Sequence, residues 1–237
     1  MLIHGDTGVL DRYIWLSNRL PKTDQAKKLI DVGCGSGVFT IGAALRGYEC
    51  LGLDYLEGNI SKAKERAGIC RAENACFETL DLRFLNRRSD LHNSFDTAIC
   101  LEVVEHILDD RKFVQDIAAC LKPGGRLLLT TPNFDYRPIT REDEGTFPEC
   151  EGGHVRKGYT EDTLVELFYQ AGLVCDAVSY CIGFLSQKII WIRRTLGRIH
   201  PLFAWAVILP LRVIPQLLDS CVTKLLHWPC YSICIEA

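Results

Sequence analysis

The sequence predicts an α/β fold in which helices cover both faces of a mostly parallel sheet. Three observations predict it. Residues 29–37 run from a short apolar stretch through Asp31 into three glycines at alternate positions, Gly33, Gly35 and Gly37. Strand-like and helix-like segments alternate from there to residue 131, the pattern of parallel strands joined by crossover helices. Asp31, Asp54, Asp81 and Glu102 sit at the carboxyl ends of apolar strand-like runs, and open parallel sheets bind ligands beyond those ends.

The elements follow in order. Residues 1–26 are expected to form an N-terminal helical segment. Residues 29–32 read as the first strand, 38–46 as the helix leaving the glycine turn, and 50–53 as a second buried strand ending on Asp54. Residues 59–68 are a helix whose exposed face carries Lys62, Lys64, Glu65 and Arg66. A third strand, 76–80, ends on Asp81, and a fourth, 95–101, is apolar on both sides through Ala98, Ile99, Cys100 and Leu101. A helix then runs to Leu121, where Pro123-Gly124-Gly125 stops it, and 126–131 is a fifth strand. Beyond it, 161–171 reads as a helix, 173–181 as a sixth strand and 230–236 as the last strand.

One domain accommodates all of this. The 237 residues exceed the prior of about 150 per domain, yet a single α/β domain reaches this size. Apolar residues make up 48 %, enough for a sizeable core, and the formal charge of -3 gives no global attraction to nucleic acid. No basic segment followed by an apolar core marks a secretory signal near Met1. The 12 cysteines are scattered, with no Cys-x-x-Cys pair and no histidine at zinc-ligand spacing. Several, such as Cys34, Cys50 and Cys100, lie in or beside strand-like runs, where a free thiol behaves as a small hydrophobe. Reduced thiols in a cytoplasmic protein without a metal site are therefore expected.

The glycine turn carries the chemistry. Glycines there let backbone approach a ligand closely, and an acid ending the next strand can accept ribose hydroxyls. A nucleoside-bearing cofactor is the first inference, against a turn that merely packs strand on helix. The spacing is Gly33-x-Gly35-x-Gly37, not the Gly-x-Gly-x-x-Gly of dinucleotide sites, and no Gly-Lys-Ser/Thr ending follows. Asp31 before the turn would repel a pyrophosphate and suits a cationic ligand better. Together Asp31, the turn and Asp54 resemble the first two motifs of class I S-adenosylmethionine-dependent methyltransferases. Residues 95–106, ending Glu102-Val103-Val104-Glu105-His106, resemble the fourth-strand motif, and Leu121-Lys122-Pro123-Gly124-Gly125 the turn before strand five. With Gly153-His154-Val155-Arg156-Lys157-Gly158-Tyr159-Thr160, they are similar to the methyltransferase type 11 or ubiquinone-biosynthesis O-methyltransferase group.

That resemblance implies a Rossmann-like sheet of seven strands, the last antiparallel, and S-adenosyl-L-methionine as cofactor. It also implies roles by position. Asp31, Gly33 and Gly35 would cradle the aminoacyl end, with Asp54 on the ribose. Tyr55 would lie against adenine, Asp81 and Leu82 would frame its other side, and Leu101 and Glu102 would border the sulfonium. Asp81 could instead simply cap the helix beginning near Arg83, and Tyr55 could be an ordinary partly buried aromatic. A phenol or amine acceptor loses a proton on methylation, and histidine is suited to take it. His106 and His154 are the candidate bases, with Glu105 placed to orient one of them; alternatively Glu105 and His106 only satisfy a helix N-terminus.

Residues 183–229 interrupt what the family builds as a short antiparallel hairpin. Leu185, Ile189, Ile192, Leu196 and Ile199 recur at spacings of four and three, a helical stripe. Lys188, Arg193, Arg194 and Arg198 make that helix basic, and no acid occurs over residues 184–216. An apolar run over 202–209 follows Pro201, but prolines and Arg212 interrupt it short of the ~20 apolar residues of a membrane span. The insertion reads as a lid over the acceptor pocket or as a basic amphipathic element on an anionic membrane surface. The function expected is methyl transfer to a small organic acceptor, most simply at oxygen of an apolar, lipid- or quinone-like molecule. The alternatives are an NAD(P)-dependent oxidoreductase and a non-catalytic, membrane-associated cofactor-binding protein.

Overall fold

The structure, a computed structural model, describes residues 7–139 and 153–237. Residues 1–6 of the expected N-terminal segment, and Cys150, lie outside the described residues. The chain runs α1 Thr7–Arg19, β1 Lys28–Val32, α2 Val38–Ala44, β2 Glu49–Asp54, α3 Glu57–Cys70, β3 Ala75–Thr79 and β4 Phe95–Leu101. It continues α4 Asp110–Cys120, β5 Leu121–Pro132, α5 Glu161–Gln170, β6 Ala177–Cys181, α6 Phe184–Gly197, α7 Pro201–Leu211, α8 Val213–Leu225 and β7 Ser232–Glu236.

Seven strands form one sheet in the order β3-β2-β1-β4-β5-β7-β6. The first five are parallel, and β7 lies antiparallel between β5 and β6. This is the Rossmann-like α/β sheet the sequence predicts. Strand order reverses between β1 and β4, and at such a switch point a crevice opens beyond the strand ends. Adjacent residues of β1 serve opposite faces: Leu29 packs with Trp15, Ile41 and Ile99, whereas Ile30 packs with Phe113, Ile117 and Phe168. Strand alternation with helices on both sides explains why β1 and β4 are apolar at successive positions.

Most boundaries fall within two residues of the sequence reading, and three places differ more, each for a local reason. β6 starts at Ala177 rather than residue 173, because Gly172 (φ 79) turns the chain out of α5 and Leu173 N–H donates back to Phe168. β5 extends back to Leu121, which pairs with Phe95 across a bulge, so the Pro-Gly-Gly turn lies within the strand. No long helix follows β4 directly. A single 3-10 turn, Val104–His106, comes first, and α4 begins only where the Asp109 carboxylate accepts from Lys112 N–H.

The insertion is three helices fastened to the domain at defined points. Asp219 of α8 accepts from Leu185 N–H at 2.7 Å and Ser186 N–H at 3.2 Å, and Thr223 accepts from Phe184 N–H at 2.8 Å. The unsatisfied amides at the start of α6 are thus capped from another helix. α6 packs on α1, and Gln216 of α8 donates to Asp11 of α1 at 2.6 Å. Burial in this contact pushes the Asp11 carboxyl up to about 6.

Candidate active site

A cavity of about 620 Å³ lies over the switch point, a size typical of small-molecule sites. It is built from the turn after β1, the end of β2, the loop after β3 and the turn after β4. Gly33, Gly35, Asp54, Tyr55, Asp81, Leu82, Glu102 and His106 all line it. Asp31, Leu101 and His154 are not among the lining residues. Asn59, Val103, Ile107, Leu108 and Val155 line it too, and the sequence reading did not single them out for this site.

The glycine turn is shaped by its surroundings. Gly33 and Cys34 both donate to the Leu53 carbonyl at 2.8 Å, which ties the turn to the end of β2. At Gly33 (φ 88) a Cβ would stand 2.3 Å from Val103 Cγ2, so a side chain is excluded. At Gly35 (φ 51) a Cβ would meet nothing within 4 Å, and the backbone there is open toward the cavity. The Asp54 carboxylate closes the other side. It accepts from Gly35 N–H at 2.9 Å, Leu56 N–H at 2.9 Å and the Asn59 amide at 3.1 Å. An ionised carboxylate offers about four acceptor sites, so Asp54 keeps capacity for a ligand hydroxyl. An exposed turn backbone facing an acid with acceptor capacity left suits a nucleoside bearing an amino-acid chain.

Asp31 sits beneath the turn rather than in the cavity wall. It is buried, accepts from the Thr40 hydroxyl at 2.5 Å, and burial pushes its carboxyl up to about 7. Asp81 does both things open to it. It lines the cavity and caps the turn of residues 82–87 through Arg83 N–H, and the Arg83 side chain holds its carboxyl below the usual range. Tyr55 is half exposed at the mouth. Glu102 occupies a left-handed conformation, φ 58, which costs a non-glycine residue about 1–2 kcal/mol. Its carboxylate is held by the Thr130 and Ser232 hydroxyls at 2.9 and 3.0 Å and by Arg12 of α1 at 3.3 Å.

At the rim the two candidate bases meet. The His106 and His154 rings are edge to face, with centroids 4.6 Å apart. His106 Nδ1 lies 2.9 Å from the Gly153 carbonyl oxygen. A carbonyl only accepts, so Nδ1 carries the proton in neutral histidine and Nε2 keeps its lone pair. Behind them Glu105 is buried. One carboxylate oxygen accepts from Thr131 at 3.1 Å, while Oε1 makes no hydrogen bond among the described residues and lies 3.9 Å from His106 Nε2. Burial, reinforced by the Glu102 charge, raises the Glu105 carboxyl well above its ordinary value. Ligand atoms of Glu105, His106 and His154 fall within 4.8 Å of one another, a spacing that could hold one divalent cation. The sequence reading found no such cluster, because 47 residues separate His106 from its Gly153 neighbour. The 11 cysteines among the described residues are all free.

Comparison with known proteins identifies the family. Residues 11–178 match the family model described as a methyltransferase domain. The ubiquinone biosynthesis O-methyltransferase of Marinobacter nauticus is 34% identical over 107 residues, 45% of this chain and 44% of that protein. The chain thus spans about half the length of the curated relatives it matches. Phosphoethanolamine N-methyltransferase 2 of Haemonchus contortus, solved with S-adenosyl-L-methionine, superposes with a TM-score of 0.66 at 16% identity, over 95% of this chain and 51% of that one. The [4+2]-cyclase SpnF does so with a TM-score of 0.65 at 18% identity, over 96% of this chain and 81% of that one. Such low identities establish the fold alone, and a cyclase among them shows that the fold hosts other chemistry. The family match covers most of the chain, glycine turn and strand-end acids included, and the chain belongs to the methyltransferase domain family, in its class I S-adenosylmethionine-dependent form.

Proposed function

We propose that the protein transfers a methyl group from S-adenosyl-L-methionine to a hydroxyl of a small, apolar organic acceptor. The observation that carries the oxygen acceptor is His106, whose Nδ1 is engaged by Gly153 while Nε2 is free to take a proton at the cavity rim. The bound cofactor supplies an already activated methyl on a sulfonium. The residues suited to hold it are Gly35, Asp54 and Asp81, with Tyr55 and Leu82 along its flat part. What remains for the chain is to align an acceptor, exclude water and accept the hydroxyl proton. Val103, Ile107, Leu108 and Val155 give the rim beside His106 an apolar lining, which favours an acceptor with an aromatic or hydrocarbon body. The name of the 34% identical relative supports the same chemistry.

The test is transfer of a labelled methyl group to catechols and phenols, with and without a hydrocarbon tail, against a matched set of amines. Phenols are the expected acceptors, tailed ones best; transfer to amines alone would overturn the oxygen assignment. Replacing His106→Asn should lower kcat by about 10²–10⁴-fold, the usual contribution of a general base, with cofactor affinity unchanged by calorimetry. A second reading rests on Glu105 Oε1, which has no hydrogen-bond partner among the described residues and lies beside the two histidines. A divalent cation held there would lower the pKa of a bound hydroxyl and replace the histidine base. Activity abolished by a chelator and restored by added Mg²⁺ or Zn²⁺ would select that reading, and activity indifferent to chelation would select the first.

A further inference from the structure

We infer that the outer face of α7 and α8 docks on an anionic lipid bilayer, as an interfacial element that does not cross it. Both helices bury one side and leave apolar residues on the other. On α7, Ala204 and Ile208 are buried, while Leu202, Phe203 and Leu209 are exposed. On α8 the buried residues are Pro215, Asp219 and Thr223, while Val213, Leu217 and Leu225 are exposed, Leu217 and Leu225 by 75% and 78%. The exposed positions fall at helical spacing, so each helix turns an apolar stripe outward. Side chains of this size grouped on one element mark an interaction surface.

Charge selects the partner. Residues 183–229 contain six lysines and arginines and a single acid, Asp219, although the whole chain has a formal charge of -3. Asp219 is buried as the cap of α6, so the face itself bears no carboxylate. Lys188, Arg198 and Lys224 of the same insertion are exposed, while Arg212, at the bend between the helices and 6.0 Å from the Trp205 ring, is buried. Leucine beside basic residues and tryptophan is the composition of helices lying in the headgroup region. No single described helix is long and apolar enough to cross a bilayer; α7 and α8 reach that length and apolarity only together, as a pair bent by 65°. The face is also tied to the catalytic side. Asp11 of α1 is bonded to α8, and its neighbour Arg12 to Glu102 in the cavity wall.

The 237-residue chain, without cofactor or acceptor, should be sedimented with phosphatidylcholine vesicles and with vesicles containing phosphatidylglycerol. Because no methyl transfer is read, this outcome is distinguishable from that of the proposed reaction. The expected result is retention on the anionic vesicles, weak retention on the neutral ones and release by high salt. The variant Leu209→Glu/Leu217→Glu/Leu225→Glu should lose at least about tenfold in vesicle affinity, with its melting temperature and cofactor affinity kept because the three side chains are exposed. Arg198→Glu/Lys224→Glu should weaken binding to anionic vesicles only. Absence of wild-type binding to anionic vesicles, or equal binding by the triple variant, would overturn the inference. So would light scattering showing a dimer that the triple variant dissociates while vesicles are ignored, since the face would then join two copies of this chain.

Discussion

Asp54 and Asp31 are both acids at the mouth of the glycine turn in sequence, and the fold gives them opposite tasks. Asp54 faces the cavity and accepts from two backbone N–H groups and the Asn59 amide. Replacing it by alanine removes a charge-assisted acceptor worth about 1.5–3 kcal/mol, so cofactor affinity measured by calorimetry should fall about 10–100-fold. An unchanged affinity would remove Asp54 from the site. Asp31 is a stability element. Its carboxyl titrates near 3.8 unfolded and about 7 folded, so folding takes up a proton between those values. Its contribution is fully present below about pH 4 and is lost as pH rises through about 7. With one unit equal to about 1.4 kcal/mol, the loss is on the order of 2–4 kcal/mol. Asp31→Asn should therefore flatten the decline in melting temperature between about pH 5 and pH 8. Parallel pH profiles for wild type and variant would show that Asp31 is not the group responsible.

At the scale of elements, what was legible in the sequence was what one segment can specify by itself. The Gly33-x-Gly35-x-Gly37 turn, the strands ending on Asp54 and Glu102, and the stop near Pro123 are each set by local backbone preference and apolar runs. The structure places them within a few residues of the expected positions. What was not legible needed partners distant in the chain. The start of β6 depends on β7 arriving beside Ala177, and the rim depends on Gly153 and His154 reaching His106. The burial of Asp31 and its bond to Thr40 likewise needed the packing of β1 against α2. The insertion shows the same limit. Its helical stripe was visible, but α6 is fixed by a cap from α8, 33 residues away. Gly183 at that junction has no room for a side chain: a Cβ would stand 2.3 Å from Thr223 Oγ1 and 2.8 Å from Asp219 Oδ1. Gly183→Ala should destabilise the protein by about 1–3 kcal/mol, read as a lower midpoint in urea. A midpoint equal to wild type would mean the α6–α8 cap adapts freely.

For the whole molecule, the question is whether residues 183–229 belong to the catalytic domain or are carried by it. None of the cavity-lining residues comes from this stretch, so the structure gives no support to a lid over the mouth. The sheet closes without it: Cys181 and Ser232 are directly paired across β6 and β7, and Tyr231 N–H donates to the Ile182 carbonyl at 2.9 Å. The insertion thus leaves and re-enters at a point where a tight hairpin turn could join the two strands. Its contribution to the domain passes through α1, by the α1–α6 packing and the Asp11–Gln216 bond. Arg12 on that helix supports Glu102, so the coupling to the cavity is indirect. Replacing residues 184–229 by a short turn should leave the far-ultraviolet signature of the sheet and cofactor affinity within about tenfold of the full chain. Thermal stability should fall as α1 loses its cover, and retention on anionic vesicles should disappear. Loss of cofactor binding in a variant that keeps its sheet would show instead that α1, held in place by the insertion, is part of the donor site through Arg12 and Glu102.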